Sequence, residues 1–359
     1  DSPLGRRDIQ SEGLPRMEVL SIIPDRGLGR FSVTASQAAP LNVYLRRKTV
    51  AEALQREGQA NLLLFDSAID PSALNITLEA LGLDLKQVKQ VFVGEGDAAG
   101  SSESETIFEY MSLTSDQLLL PEQVVEQTVQ ALGRDRVTEV CTYLANAIER
   151  VDDDGKVIAS VPYSTITAID STPELPLDYT VPEKANRTSS GAAGDTSLVP
   201  LVINDWTAKQ LDAEIGTPLR IAYYEPEVEN GNEIERHFSA VVTGIVPITR
   251  PAKPYRRSRE AVFDKPPTVY NDPDLTPTVP GVTDQDSISN WDLPFKLTRD
   301  IESADDEYWN DFRLTPKAFL PLAEGQRLFG SRFGDTTGLR IKAVKNESKA
   351  QLQSQILSS

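Results

Sequence analysis

The sequence predicts an α+β protein: mixed small β-sheets with short flanking helices, in at least two lobes, with a repeated strand-helix-strand module. Three observations lead there. Short runs rich in Val, Ile and Tyr alternate with helical stretches bounded by Pro and Gly. Residues 137–170 read as a long β-hairpin. The stretch Trp309 to Ile341 reads as strand, helix and strand, and Ala39 to Phe65 is a fainter copy of it.

In chain order, Val19 to Ile23 is a strand running into a Pro/Gly turn, and LNVYL is the next strand. Thr49 and Glu52 have the spacing of a capping box ahead of Val50, Ala53 and Leu54, with Gly58 as the stop. ANLLLF (60–65) reads as a buried strand. Asp70-Pro71 opens a helix that places Leu74, Leu78 and Leu81 on one face and ends at Gly82. KQVFV, TIFEYMSL and DQLLL are extended, and Pro121 opens a helix carrying Val125, Thr128, Val129 and Leu132. VTEVCTYLANAI fits a helix at Val137, Val140, Leu144 and Ile148, but facing KVIASVPYSTITAI across a turn it reads better as the hairpin, with Asp154-Gly155 at its tip. Residues 171–197 are a loop. Asn204 or Asp205 caps a helix with Ala208, Leu211 and Ile215 inward and Gly216 as the stop. TPLRIAYYEP and HFSAVVTGIVPI form a second hairpin, and the Pro- and Asp-rich residues 250–290 are a long loop of the kind that is functional or ordered by contacts. SIIPD and GIVPI head the two copies of the module in the same order, Val19–Leu45–Phe65 and Val241–Phe319–Ile341, which reads as a duplicated lobe.

A net charge of -18 disfavours nucleic acid as a partner, because phosphate contacts need clustered Lys and Arg, and it repels anionic lipid. One histidine, His237, and one cysteine, Cys141, rule out an intramolecular disulfide, a multi-His/Cys zinc site and most triads. No apolar run approaches the ~20 residues that span a bilayer. The chain opens at Asp1 rather than at methionine, as an excised or processed fragment does.

The tempting motifs are weak. GEGDAAG (94–100) has Ala99 where a dinucleotide fingerprint needs glycine, and acidic SSESE follows it. DDDGK (152–156) suits a hairpin tip better than a calcium loop, and Asp284, Asp286 and Asp292 read as solvated loop carboxylates. His237 is a surface or edge residue, Cys141 a buried one, and PAKPYRRSRE (251–260) a solvated basic loop. The sequons at Asn75, Asn186 and Asn346 are chance occurrences. No catalytic, cofactor or metal residue is assigned. A free-standing extracellular binding or adhesion protein, and a secreted hydrolase using paired carboxylates, stand as alternative functions.

PLNVYLRRKTVAEALQREGQANLLLF, CTYLANAI, VPYSTITAID, INDWTAKQLDAEIGTPLRIAYYEPE and YWNDFRLTPKAFLPLAEGQRLFGSRFGDTTGLRI, in this order, resemble large FtsX-like ABC transporter permeases. More specifically, they resemble the extracytoplasmic (periplasmic) insertion of the MacB-type superfamily. The resemblance covers residues 17–345 and implies an insertion between two transmembrane helices of a bacterial inner-membrane protein. It implies four regions: a first membrane-proximal lobe at 1–68, incomplete at its start, a distal lobe at 69–200, a second lobe at 201–345, and a tail at 346–359 leading towards a transmembrane helix. The implied partners are the protein's own transmembrane helices, a cytoplasmic ABC ATPase, a second permease copy, and a periplasmic adaptor or substrate. The implied role is non-enzymatic mechanotransmission, and no substrate residue carries over by motif.

Overall fold

A computed structural model describes residues 17–24, 42–54, 56–60, 64–68, 74, 76–94, 104–152, 154–183, 198–226, 234–255, 261–279, 281–291, 297–331, 333–344 and 347–358. The chain divides into two compact units, Arg7–Leu74 and Asn75–Ser359.

In the first unit the described residues hold one helix, α1 (Arg47–Ala53). It starts two residues ahead of Thr49, at an Arg46 N-cap with no side-chain cap, so the expected capping box does not form. Residues 17–24, 42–46 and 64–65 contain no strand, contrary to expectation, while 61–63 lie outside the described residues. A strand needs a partner for its backbone groups, and the apolar side chains here are solvent-facing: Leu20 is 91% exposed and Val43 80%.

The second unit is mixed α and β around a closed six-stranded barrel, which the sequence did not suggest. After a 3-10 turn at Glu79–Leu81, β1 (Leu83–Val93) and β2 (Ser104–Ser115) form an antiparallel pair. Of the helix expected from Asp70, 69–73 and 75 lie outside the described residues, and the turn ends at Gly82 in the left-handed conformation. Next, α2 (Glu122–Leu132) buries Val125, Thr128 and Leu132, as its spacing predicts. The hairpin follows as β3 (Val137–Val151) and β4 (Val157–Ala168), its turn held by Asp152 Oδ1, which accepts from the Asp154 and Lys156 amides.

β5 (Val199–Asn204) leads into α3 (Asp205–Leu211), whose Asn204 cap accepts from Thr207 N at 2.8 Å. The helix ends at Leu211, short of Gly216, because Asp212 turns left-handed, and Ile215 is 58% exposed rather than inward. β6 (Pro218–Tyr224) and β7 (Glu235–Val246) are the second hairpin. α4 (Ser303–Phe312), β8 (Ala318–Leu320), α5 (Leu322–Phe329), β9 (Gly338–Lys342) and α6 (Lys349–Leu357) complete the unit.

The barrel closes in the order β3–β4–β8–β5–β7–β6 and back to β3, with parallel seams at β4–β8 and β5–β7. A boundary at 200/201 would cut β5, so the expected division into lobes at 69–200 and 201–345 does not describe this barrel. Six strands leave an interior that side chains fill. Tyr143, Ile148, Ile166, Leu201, Ile203 and Val242 fill it, with Phe329 of α5 stacked on Tyr143 at 4.4 Å. The first residues of β3 leave the barrel and pair with β9, which pairs in turn with β2. This makes a three-stranded wing, β1–β2–β9, continuous with the barrel wall. One wing face packs Leu85, Leu113 and Ile341 with residues of α2 and α6, including Leu132, Leu352 and Ile356.

Candidate functional site

The other wing face carries polar side chains because strand residues alternate and α2 and α6 cover only one side. Register aligns Lys86, Ser112 and Arg340 in one row across the three strands, and Asp84, Thr114 and Gly338 in the next. A strap from the long loop, residues 268–278, lies across these rows. Its buried Asn271 accepts from the Thr249 and Thr268 amides and donates to Thr249 O. Thr142 Oγ1 of β3 donates to Leu275 O at 2.9 Å.

Two carboxylates of the strap meet the wing. Asp272, fully buried, accepts from Tyr110 Oη at 2.9 Å and lies 3.9 Å from Arg340, whose guanidinium stacks over the Tyr110 ring at 4.1 Å. Burial raises the Asp272 carboxyl to about 6, with Asp274 adding to the rise and Arg340 opposing it. Asp274 pairs with Lys86 at 2.5 Å. Beside these contacts a cleft of about 320 Å³ opens between strap and wing, lined by Glu79, Asp84, Lys86, Asp116, Asp274 and the hydroxyls of Ser112, Thr114 and Thr276. Its chemistry is that of polar recognition: carboxylate acceptors, hydroxyl donors and one ammonium. Among the described residues no group of three or more His, Cys, Asp or Glu is placed to hold a metal ion.

The cleft draws on the loop 250–290, the one segment of it that the sequence marked, through Asp274 and Thr276. Sequence reasoning missed Asp84, Lys86, Ser112 and Thr114; the signal was there as alternation, since EYMSLTS sets Ser and Thr opposite Met and Leu. His237 sits half-exposed on β7 with Nε2 3.9 Å from Glu235. Cys141 is buried, its thiol pushed up to about 12 by burial and then by Asp335, which leaves it unreactive. The GEGDAAG loop beyond Gly94, Arg256 to Glu260 of the basic loop, and Asp292 fall outside the described residues. Asp284 and Asp286 lie on the 281–291 segment.

A second polar cluster lies on the outer wall of the barrel where β3 meets β6. Glu149, 5% exposed, accepts from Arg220 Nε at 2.8 Å, and Arg299 Nη2 donates to both oxygens of Glu235 at 2.9 Å. Elsewhere, Lys317 is enclosed by the Trp206 and Tyr308 rings, each 4.9 Å away, with Asp305 at 3.9 Å. The chain matches no protein-family model, and no curated protein is significantly similar to it. No helix among the described residues is long and apolar enough to cross a membrane.

Proposed function

We propose that the chain is the extracytoplasmic domain of an FtsX-like, MacB-type ABC transporter permease and that it relays motion without chemistry of its own. The ordered segments that resemble that family support the reading. The observation that carries it mechanically is the run β8–α5–β9. β8 is a stave of the barrel, β9 is the wing strand that pairs with β2 on one side and with β3 of the barrel on the other, and α5 lies against β3 and β4. Displacement of the wing, which also carries α6, reaches the barrel through this run and through the direct pairing of β9 with β3. On this reading α1 is the helix of a matching module in a second lobe. The cytoplasmic ATPase, a permease dimer and a periplasmic partner are the further components it requires.

The test uses the full-length polypeptide that contains this chain, produced in its own host. The expected result is recovery in the membrane fraction, cleavage of this region by protease added outside the inner membrane, and co-purification of an ATPase. Deleting Pro321–Gly330 then stops transport. Recovery as a soluble protein without flanking apolar spans of ~20 residues overturns the proposal. The cleft favours a second reading, a free-standing extracellular binding protein, for which a lone signal peptide in place of membrane spans is the discriminating observation.

A further inference from the structure

Asn146 of β3 and Tyr163 of β4 face each other between the ladder pairs Ala145↔Ser164 and Ala147↔Pro162. Tyr163 has φ +42, a left-handed backbone in mid-strand, and such strain persists only where surroundings hold it. Asn146 is 2% exposed, and its Nδ2 donates to Glu235 Oε1 at 2.8 Å. That contact fixes the amide orientation, since a flip would turn Oδ1 onto a carboxylate. Asn146 Oδ1 is therefore a buried acceptor, and among the described residues it has no hydrogen-bond partner.

Arg299 stands in the same cluster. Its Nη2 uses the same Glu235 Oε1, and its backbone N–H donates to Tyr163 Oη at 2.7 Å. Its Nε is a buried donor, also without a partner among the described residues. One orphaned donor and one orphaned acceptor are thus attached to groups that share a single oxygen. Leaving both unpaired carries the full desolvation penalty of each, which native structures avoid.

We propose that Asn146, Tyr163 and Arg299 bind one buried water molecule as part of the barrel wall. The chemistry selects the ligand. A cation is excluded by the Arg299 Nε–H, and an anion by the Asn146 carbonyl oxygen beside Glu235. The ligand must accept from Arg299 and donate to Asn146, and the Tyr163 hydroxyl proton supplies a further donor because its oxygen already accepts from Arg299 N. Water makes all three bonds, the usual number for a buried one. It would tie the segment around Arg299 to the strand kink at Tyr163.

The test is solution NMR on the folded chain, reading cross-relaxation from water to the Arg299 ε-proton and the Asn146 side-chain amide. Strong cross-peaks of a long-lived water are expected in the wild type, with loss of the Arg299 peak in Asn146→Leu, which keeps the branched skeleton and removes the acceptor. Assigned wild-type resonances with no water cross-peak overturn the proposal. If Asn146→Leu does not fold, a crystal map showing ordered waters decides. A peak within hydrogen-bond distance of all three groups supports the site, and Arg299 Nε bonded directly to Asn146 Oδ1 overturns it.

Discussion

At Asp272 a fully buried carboxyl faces Arg340 at 3.9 Å and accepts from the Tyr110 hydroxyl, yet burial outweighs both and lifts it to about 6. The folded state therefore holds this proton more tightly than the unfolded chain, whose value is near 3.8. The group's contribution to stability is greatest below about 4 and is lost as pH rises through about 6, the reverse of a carboxylate stabilised by its cation. Between pH 7 and pH 5 the wild type should gain about 1 kcal/mol relative to Asp272→Asn, measured by urea unfolding of both at each pH. Equal pH slopes would show that the carboxyl is solvated. At Lys317 and Asp305 the same balance holds: burial lowers the lysine to about 8 and raises the aspartate, so each shifts towards neutrality despite the other. Some of this scale was legible in the sequence and some was not. The Asn204 cap was, because capping is a local rule. The strain at Tyr163 was not, because nothing in a strand-forming Pro-Tyr-Ser announces a left-handed tyrosine.

Among the elements, α5 has the closest seat. A Cβ built at Gly325 would stand 2.0 Å from Ala168 Cβ of β4, far inside van der Waals contact. Gly325→Ala should therefore cost about 3 kcal/mol by overpacking, seen as a fall in urea midpoint. Adding Ala168→Gly should return part of it, less the ~0.5–1 kcal/mol that glycine costs inside a strand. A midpoint unchanged by Gly325→Ala would mean that α5 does not lie on β4. The Asp-Gly tip had marked the β3–β4 hairpin, because end signals are short-range. α4 escaped notice: SADDEYWNDF is mostly polar, and only packing reveals that Tyr308, Trp309 and Phe312 share a buried face. The cleft escaped for a related reason. It is assembled from residues 79–86, 112–116 and 274–278, which no local pattern connects.

For the whole molecule, the unit Asn75–Ser359 holds every buried cluster of the described residues, whereas among the described residues of Arg7–Leu74 only Ala51 is buried and apolar. A protein made of residues 75–359 should keep the near-ultraviolet circular dichroism of its buried tryptophans and one cooperative urea transition. A featureless spectrum would show that the barrel depends on the preceding residues. Barrel closure was the least legible property, because β3 pairs with β4, β6 and β9 in turn and sequence alone sets none of those registers. The position of β9 also bears on how the protein is made. Ile341 pairs with Met111, so 230 residues (341 − 111) must be added before the wing's inner strand finds its neighbour. At about 5–20 residues per second that is a wait of roughly 10–50 s on the ribosome. Throughout it β2 offers a row of unpaired N–H and C=O groups to any passing chain. The nascent protein is thus most prone to aggregate just before five late residues, Gly338–Lys342, are added.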